Sequence, residues 1–359
     1  MRAWLIAAAI AVGSTVMPAS AAEKIVFATY ISEVYTISKA DLWFMKEVEK
    51  RTNGDIKFET YFSGSLLKAA DLFPGLASGA ADMVEGVPAG YNRKEYPLAN
   101  IMMPYISTKA DAITRAHMEL VTTHPAYRKE FESRNAKVLY TLAWAENTVW
   151  SRKPLAKVED FKGLKVRSVQ AIADVVQKLG GTPVSLSWPD AIEALQRGVV
   201  DAMSSAPFDS AVFGGLHEIA KVGTDAGGMG IFSVGVTAMN LQRYNKLSEA
   251  NRKVVDEVAA EVPDYALKLL DEQLKTAADK LCSYKGDVTI NLFPPEEAKK
   301  VRDLAATSLH EDWIKNAKAA TGVDTKAMFE QFQSLVRKHE ANSTYVSGFE
   351  LYQQRCKKT

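Results

Sequence analysis

The spacing of apolar residues changes period along this chain, and each change marks an element. Lys24-Ile25-Val26-Phe27-Ala28-Thr29 is apolar almost throughout and predicts a buried strand. Leu42, Met45 and Val48 then recur at helical spacing, and Asn53-Gly54 supplies a helix stop. Ile56-Lys57-Phe58-Glu59-Thr60-Tyr61 alternates with a period of two, as a half-buried strand does. A short helix from Ala69 to Ser78 and a strand at Asp82-Met83-Val84 complete one α/β unit. The pattern then restarts. Strands are predicted over 138–143, 164–167, 183–186 and 199–203, with helices over 172–179 and 189–197, the latter carrying Pro189 in its first turn. From Ser248 to about Lys280 the pattern is helical. A strand over 288–293 follows, and Pro294-Pro295-Glu296-Glu297 opens another helix. Two strand–helix runs in series predict two α/β lobes, each with a parallel or mixed sheet, and a small-ligand cleft where the lobes meet.

Composition narrows the function. The chain has 359 residues, 47% of them apolar and 24% charged, an ordinary globular balance. A formal charge of +1 argues against a nucleic-acid binder, which needs a basic face to displace counterions from phosphates. The N-terminus has the layout of a secretory signal over residues 1–22: Arg2, an apolar run from Ala3 to Val16, then small residues through Pro18-Ala19-Ser20-Ala21-Ala22. Cleavage near Ala21-Ala22 would remove Arg2 and no acid, leaving a mature charge of zero. No later run of about twenty apolar residues occurs. The expectation is an exported, soluble periplasmic protein. An oxidising compartment would let Cys282 and Cys356 bridge, but spacing alone leaves a disulfide and two free thiols equally open.

Catalytic signatures are sparse along the chain. No GxSxG, HExxH, P-loop or GxGxxG occurs, and Gly227-Gly228-Met229-Gly230 reads as a turn. None of the five histidines stands beside a second ligand type at metal spacing. The expectation is a binding protein without cofactor or metal, and not an enzyme.

Several segments together carry a resemblance. They are Arg51-Thr52-Asn53-Gly54-Asp55-Ile56, Ser63-Gly64-Ser65-Leu66 and Leu76-Ala77-Ser78-Gly79-Ala80-Ala81-Asp82-Met83. Further on come Asp160-Phe161-Lys162-Gly163-Leu164-Lys165-Val166-Arg167, Leu179-Gly180-Gly181-Thr182-Pro183-Val184, Ser187-Trp188-Pro189-Asp190 and Ala194-Leu195-Gln196-Arg197-Gly198-Val199-Val200-Asp201. In this order the chain resembles the substrate-binding subunits of tripartite ATP-independent periplasmic (TRAP) transporters, of the dicarboxylate-binding type. The resemblance implies an α/β, two-lobed periplasmic binding protein with a hinge, a long bridging helix and a ligand cleft. It implies lobe 1 over 23–145 with a return segment over 236–270, lobe 2 over 146–235, and a C-terminal helical segment over 271–359 packing across both. It also implies a monomer that delivers a small organic acid, amino- or hydroxyl-bearing acids included, to membrane permease subunits.

The resemblance places Arg167 as the carboxylate clamp, because a guanidinium matches a carboxylate as a planar fork. Trp188 falls at an aromatic position that packs on the ligand. Ser205-Ala206 stands where the family often has Asn-Pro, so Ser204, Ser205, Phe208 or Asp209 are candidates to replace the amide contact. Glu146 falls where some members carry a second arginine. It either meets an amine or hydroxyl of the ligand or pairs with Arg152 or Arg167. Glu85, Tyr30 and Trp144 complete the candidates, as an acid and two aromatic faces. The rival readings are the same role for a small amine or amino alcohol, and a ligand-sensing protein that works with a receptor.

Overall fold

The computed structural model describes residues 22–356, so the predicted signal segment lies outside the described residues except for Ala22. Two sheets form the frame. The first contains β1 (Glu23–Thr29), β2 (Ile56–Tyr61), β3 (Met83–Gly86), β4 (Ala136–Ala143) and, from later in the chain, Val234–Asn240. The second contains β5 (Asn147–Ser151), β6 (Lys165–Arg167), β7 (Thr182–Val184), β8 (Ala202–Pro207) and β9 (Val222–Thr224), with Thr289–Asn291 at its edge. In chain order the two late strands are β10 (Val234–Asn240) and β11 (Thr289–Asn291). The strand orders are β2-β1-β3-β10-β4 and β11-β9-β5-β8-β6-β7.

β1 runs parallel to β2 and β3, whereas β10 inserts antiparallel between β3 and β4. In the second sheet β6 runs parallel to β7 and β8, and β5 lies antiparallel between β8 and β9. The chain therefore crosses between sheets three times: by two short crossings, from Ala143 to Asn147 and back from Thr224 to Val234, and again over the long stretch between Asn240 and Thr289. These short crossings are the hinge. Gly230 lies in the second one with φ +70°, and a side chain there would run into the Ser107 backbone.

The predicted strand over 199–203 lies instead at Ala202–Pro207. Gly198 (φ +73°) turns the chain, Val199 is exposed, and the Asp201 carboxylate accepts from the Lys165 N–H at 2.8 Å. Residues 199–201 thus form the turn that sets β8 beside β6. The long helix Glu249–Ser283 starts at a Ser248 cap that accepts from the Asn251 N–H at 3.1 Å. It packs on the helix Thr36–Arg51 of the first lobe and on Phe208–Phe213 of the second. Cys282 near its end is joined to Cys356 in a disulfide, with Cα atoms 5.1 Å apart, which pins the last helix, Gly348–Cys356, alongside. Among the described residues no helix is long and apolar enough to cross a membrane.

Candidate functional site

A cavity lies between the lobes. The first lobe lines it with Tyr30 at the end of β1, Ile31, Tyr35 before the helix Thr36–Arg51, and Val87 and Tyr91 after β3. The second lobe lines it with Arg167 at the end of β6, Val169 and Gln170 beyond it, Trp188, and Ser205, Pro207 and Ser210. Trp144 and Ser233 come from the two hinge crossings. Parallel strands here deliver side chains at their C-terminal ends, where open α/β sheets bind ligands.

The lobes touch across this cavity. The Trp188 indole N–H donates to the Tyr35 hydroxyl at 2.8 Å, and the two rings meet edge to face. Thr36 Oγ1 donates to the Asp209 carboxylate at 2.6 Å, and Arg93 pairs with Asp174 at 3.1 Å near the rim. All three contacts join opposite lobes, so this is a closed arrangement.

Arg167 is the one charged side chain among the described residues that line the cavity, and it is only 2% exposed. Its five N–H groups all meet neutral oxygens. Nε and Nη2 donate to the Leu186 carbonyl at 3.0 and 2.9 Å. Nη1 donates to the Ser204 and Ser205 carbonyls, both at 3.2 Å. The second Nη2 bond, 3.2 Å, goes to the Tyr91 hydroxyl on the opposite lobe. The guanidinium also lies 5.8 Å from the Trp188 ring centroid. Among the described residues no carboxylate pairs with this buried cation. The two-pronged fork expected from sequence is therefore occupied by backbone carbonyls, and a single N–H points toward the first lobe.

Tyr30, Trp144, Trp188 and Ser205 join Arg167 on the cavity wall. Ser205 holds a left-handed backbone (φ +51°), and its hydroxyl accepts from the Val169 N–H and donates to the Val169 carbonyl, each at 3.2 Å. It fastens the loop after β6 in place of the amide contact expected there. Gln170 is also left-handed (φ +60°). Two such non-glycine residues on one wall mark a strained, built surface.

The remaining five candidates sit off the wall, Ser204 among them, its hydroxyl donating to the Arg167 carbonyl at 3.0 Å. Glu146 occupies the first hinge crossing and meets neither Arg152 nor Arg167. Its carboxylate accepts from the Tyr345 hydroxyl and, at 2.6 Å, from the Gly348 N–H, both in the C-terminal tail. Arg152 bonds the Leu195 and Gln196 carbonyls instead. Burial pushes the Glu146 carboxyl up to about 7, against the pull of those two donors. Glu85 is fully buried behind the first wall, accepts from Thr29 Oγ1 at 2.7 Å, and is raised well above the usual range by burial and by Asp41. Asp209 caps the contact to Thr36, and burial raises its carboxyl. Phe208 packs edge to face on Phe349 of the last helix, with ring centroids 5.5 Å apart.

Sequence reading missed Tyr35, Tyr91, Gln170, Ser210 and Ser233. Tyr35 and Tyr91 had a faint signal, as aromatic residues next to the ends of the first helix and the third strand. The others had none, because their place on the wall depends on loop conformation.

A cavity between two lobes, walled by phenols, indoles and one buried cation, defines a binding protein for a small molecule. Residues 27–316 match the family described as bacterial extracellular solute-binding protein, family 7, and the chain belongs to that family. It is a transport family, not an enzymatic one, and the chain is a TRAP-type substrate-binding subunit.

A solute-binding protein of Albidiferax ferrireducens is 31% identical over 229 residues, which are 63% of this chain and 66% of that protein, just under two thirds. The ectoine-binding periplasmic protein TeaA of Halomonas elongata is 23% identical over 295 residues, 81% of this chain and 84% of its own. A TRAP solute-binding protein of Rhodoferax ferrireducens, solved with copurified benzoate, shares the fold. Its TM-score is 0.77 at 22% identity, over 89% of this chain and 99% of that one.

Proposed function

We propose that this protein captures a small monocarboxylic acid with a compact, uncharged body and delivers it from the periplasm to the membrane permease of a TRAP transporter. The observation that carries this reading is the unbalanced charge of Arg167. It is the single charged group on the wall, and every partner it has is neutral. A buried cation in that state is stabilised by an anion. A dicarboxylate would bring a second charge with no second cation to meet it. An amine or amino alcohol would face Arg167, and neither Glu146 nor Glu85 lies on the cavity wall. The aromatic walls suit a flat or compact apolar body, and benzoate in the Rhodoferax protein is such an acid.

The test is a thermal-shift series with benzoate, pyroglutamate, succinate, ectoine and ethanolamine. A ligand that binds the folded state raises Tm in proportion to the logarithm of its concentration over Kd. Benzoate or pyroglutamate should give the largest rise. A rise with succinate or ethanolamine and none with the monocarboxylates would overturn the reading.

A further inference from the structure

We infer that Tyr91 is a second recognition group for the ligand's acid, donating its hydroxyl hydrogen to the carboxylate from the lobe opposite Arg167. This rests on the monocarboxylate reading above and adds the residue that completes it.

Arg167 has almost no free donor to offer a ligand. Four of its five N–H groups are held by the Leu186, Ser204 and Ser205 carbonyls of its own lobe. The fifth meets the Tyr91 oxygen at 3.2 Å. Arg167 alone therefore presents one N–H toward the first lobe, too little to fix a carboxylate with two oxygens. The Tyr30 and Tyr91 rings lie edge to face, with centroids 5.4 Å apart.

A phenolic oxygen that accepts from a guanidinium keeps its own hydrogen to donate. Among the described residues no protein acceptor takes that hydrogen, and Tyr91 stands on the cavity wall. A hydroxyl polarised by a guanidinium is a stronger donor than a free phenol. Its natural partner is an ionised carboxylate, which only accepts. The charge of Arg167 thus reaches the ligand partly through Tyr91. Because Tyr91 belongs to the first lobe, the full donor set exists only when the lobes are closed.

Calorimetry on the whole protein tests this with benzoate, 3-hydroxybenzoate and pyroglutamate, each against its neutral amide. Tyr91→Phe should weaken the tightest-binding acid about tenfold and weaken the amide about twofold or less. Equal weakening of acid and amide would make Tyr91 a packing residue and overturn the inference. Unchanged or tighter acid binding would overturn it too, the phenol then being idle or a competitor for Arg167. In both cases wild-type binding of the acid leaves the monocarboxylate reading standing. Failure of wild type to bind any of the three acids removes that reading and Tyr91's role together.

Discussion

The two walls of the cleft are built on different principles. The second lobe contributes a fixed charge: Arg167 is locked by three backbone carbonyls, and Ser205 ties its neighbouring loop in place. The first lobe contributes no charge to the cavity. It offers tyrosines whose hydroxyls face the other lobe, and it keeps Asp41 and Glu85 deep beneath its wall. One wall is therefore preorganised for an anion before the lobes meet, and the other supplies contacts that form on closure. In a two-state protein only contacts that differ between states drive the change. The difference between the walls thus separates affinity for the acid group from the free energy of closure.

Removing the fixed charge should have the largest effect. Arg167→Ala should weaken binding of a monocarboxylate by about 2–5 kcal/mol, roughly thirtyfold to several thousandfold, as measured by calorimetry. It also strips partners from the Leu186, Ser204 and Ser205 carbonyls, so unliganded stability should fall with it. Near-normal affinity in the folded variant would place recognition on the first wall instead.

A smaller effect is expected at the closure contacts. Tyr35→Phe leaves the Trp188 N–H without its 2.8 Å acceptor, a loss confined to the closed state. Affinity should drop by about 1–3 kcal/mol, and scattering should show a larger radius of gyration at subsaturating ligand. An unchanged radius with unchanged affinity would show that this bond forms no part of the closing free energy.

The smallest effect on binding is expected at Glu146, which belongs to neither wall. Glu146→Gln should leave the ratio of affinities for acids with and without an amine unchanged. Its effect appears in stability against pH. The Glu146 carboxyl is raised from 4.5 to about 7 in the folded protein. Below pH ~4.5 both folded and unfolded forms carry the proton, and the cost of burying the charge is absent. That relative stability is lost as pH rises through about 7, by up to roughly 3 kcal/mol at 1.36 kcal/mol per unit. Glu146→Gln should therefore flatten part of the fall in Tm between pH 5 and 7.5. A parallel curve for variant and wild type would contradict the burial argument.

The contrast between Arg167 and Glu146 also shows what sequence can carry. Arg167 ends a strand whose flanking turns are written in adjacent residues, so its position was legible. Its partners were not, because they are carbonyls brought in from β8 and from the loop before Trp188. Glu146 bonds Tyr345 and Gly348, about two hundred residues downstream, and no local pattern joins those positions. The same holds for the strands. β1 and β2 were legible from burial and alternation. β5 and β10 were not, since both are buried along their whole length and lack a period-two signal. They are also the strands that begin just after each hinge crossing. Cys282 and Cys356 could be counted in the sequence, but their pairing required the long helix to end beside the last one.

Trp188 gives the molecule an intrinsic optical sensor. Its indole faces a guanidinium on one side and a tyrosine of the opposite lobe on another, and it borders the cavity directly. Opening the lobes would release the Tyr35 hydrogen bond and admit water to the ring, while a seated ligand would alter the field across it. The Trp188 share of the emission thus responds both to lobe separation and to occupancy, and Trp144 on the same wall adds a second reporter. The protein can be followed through its working cycle without any attached dye.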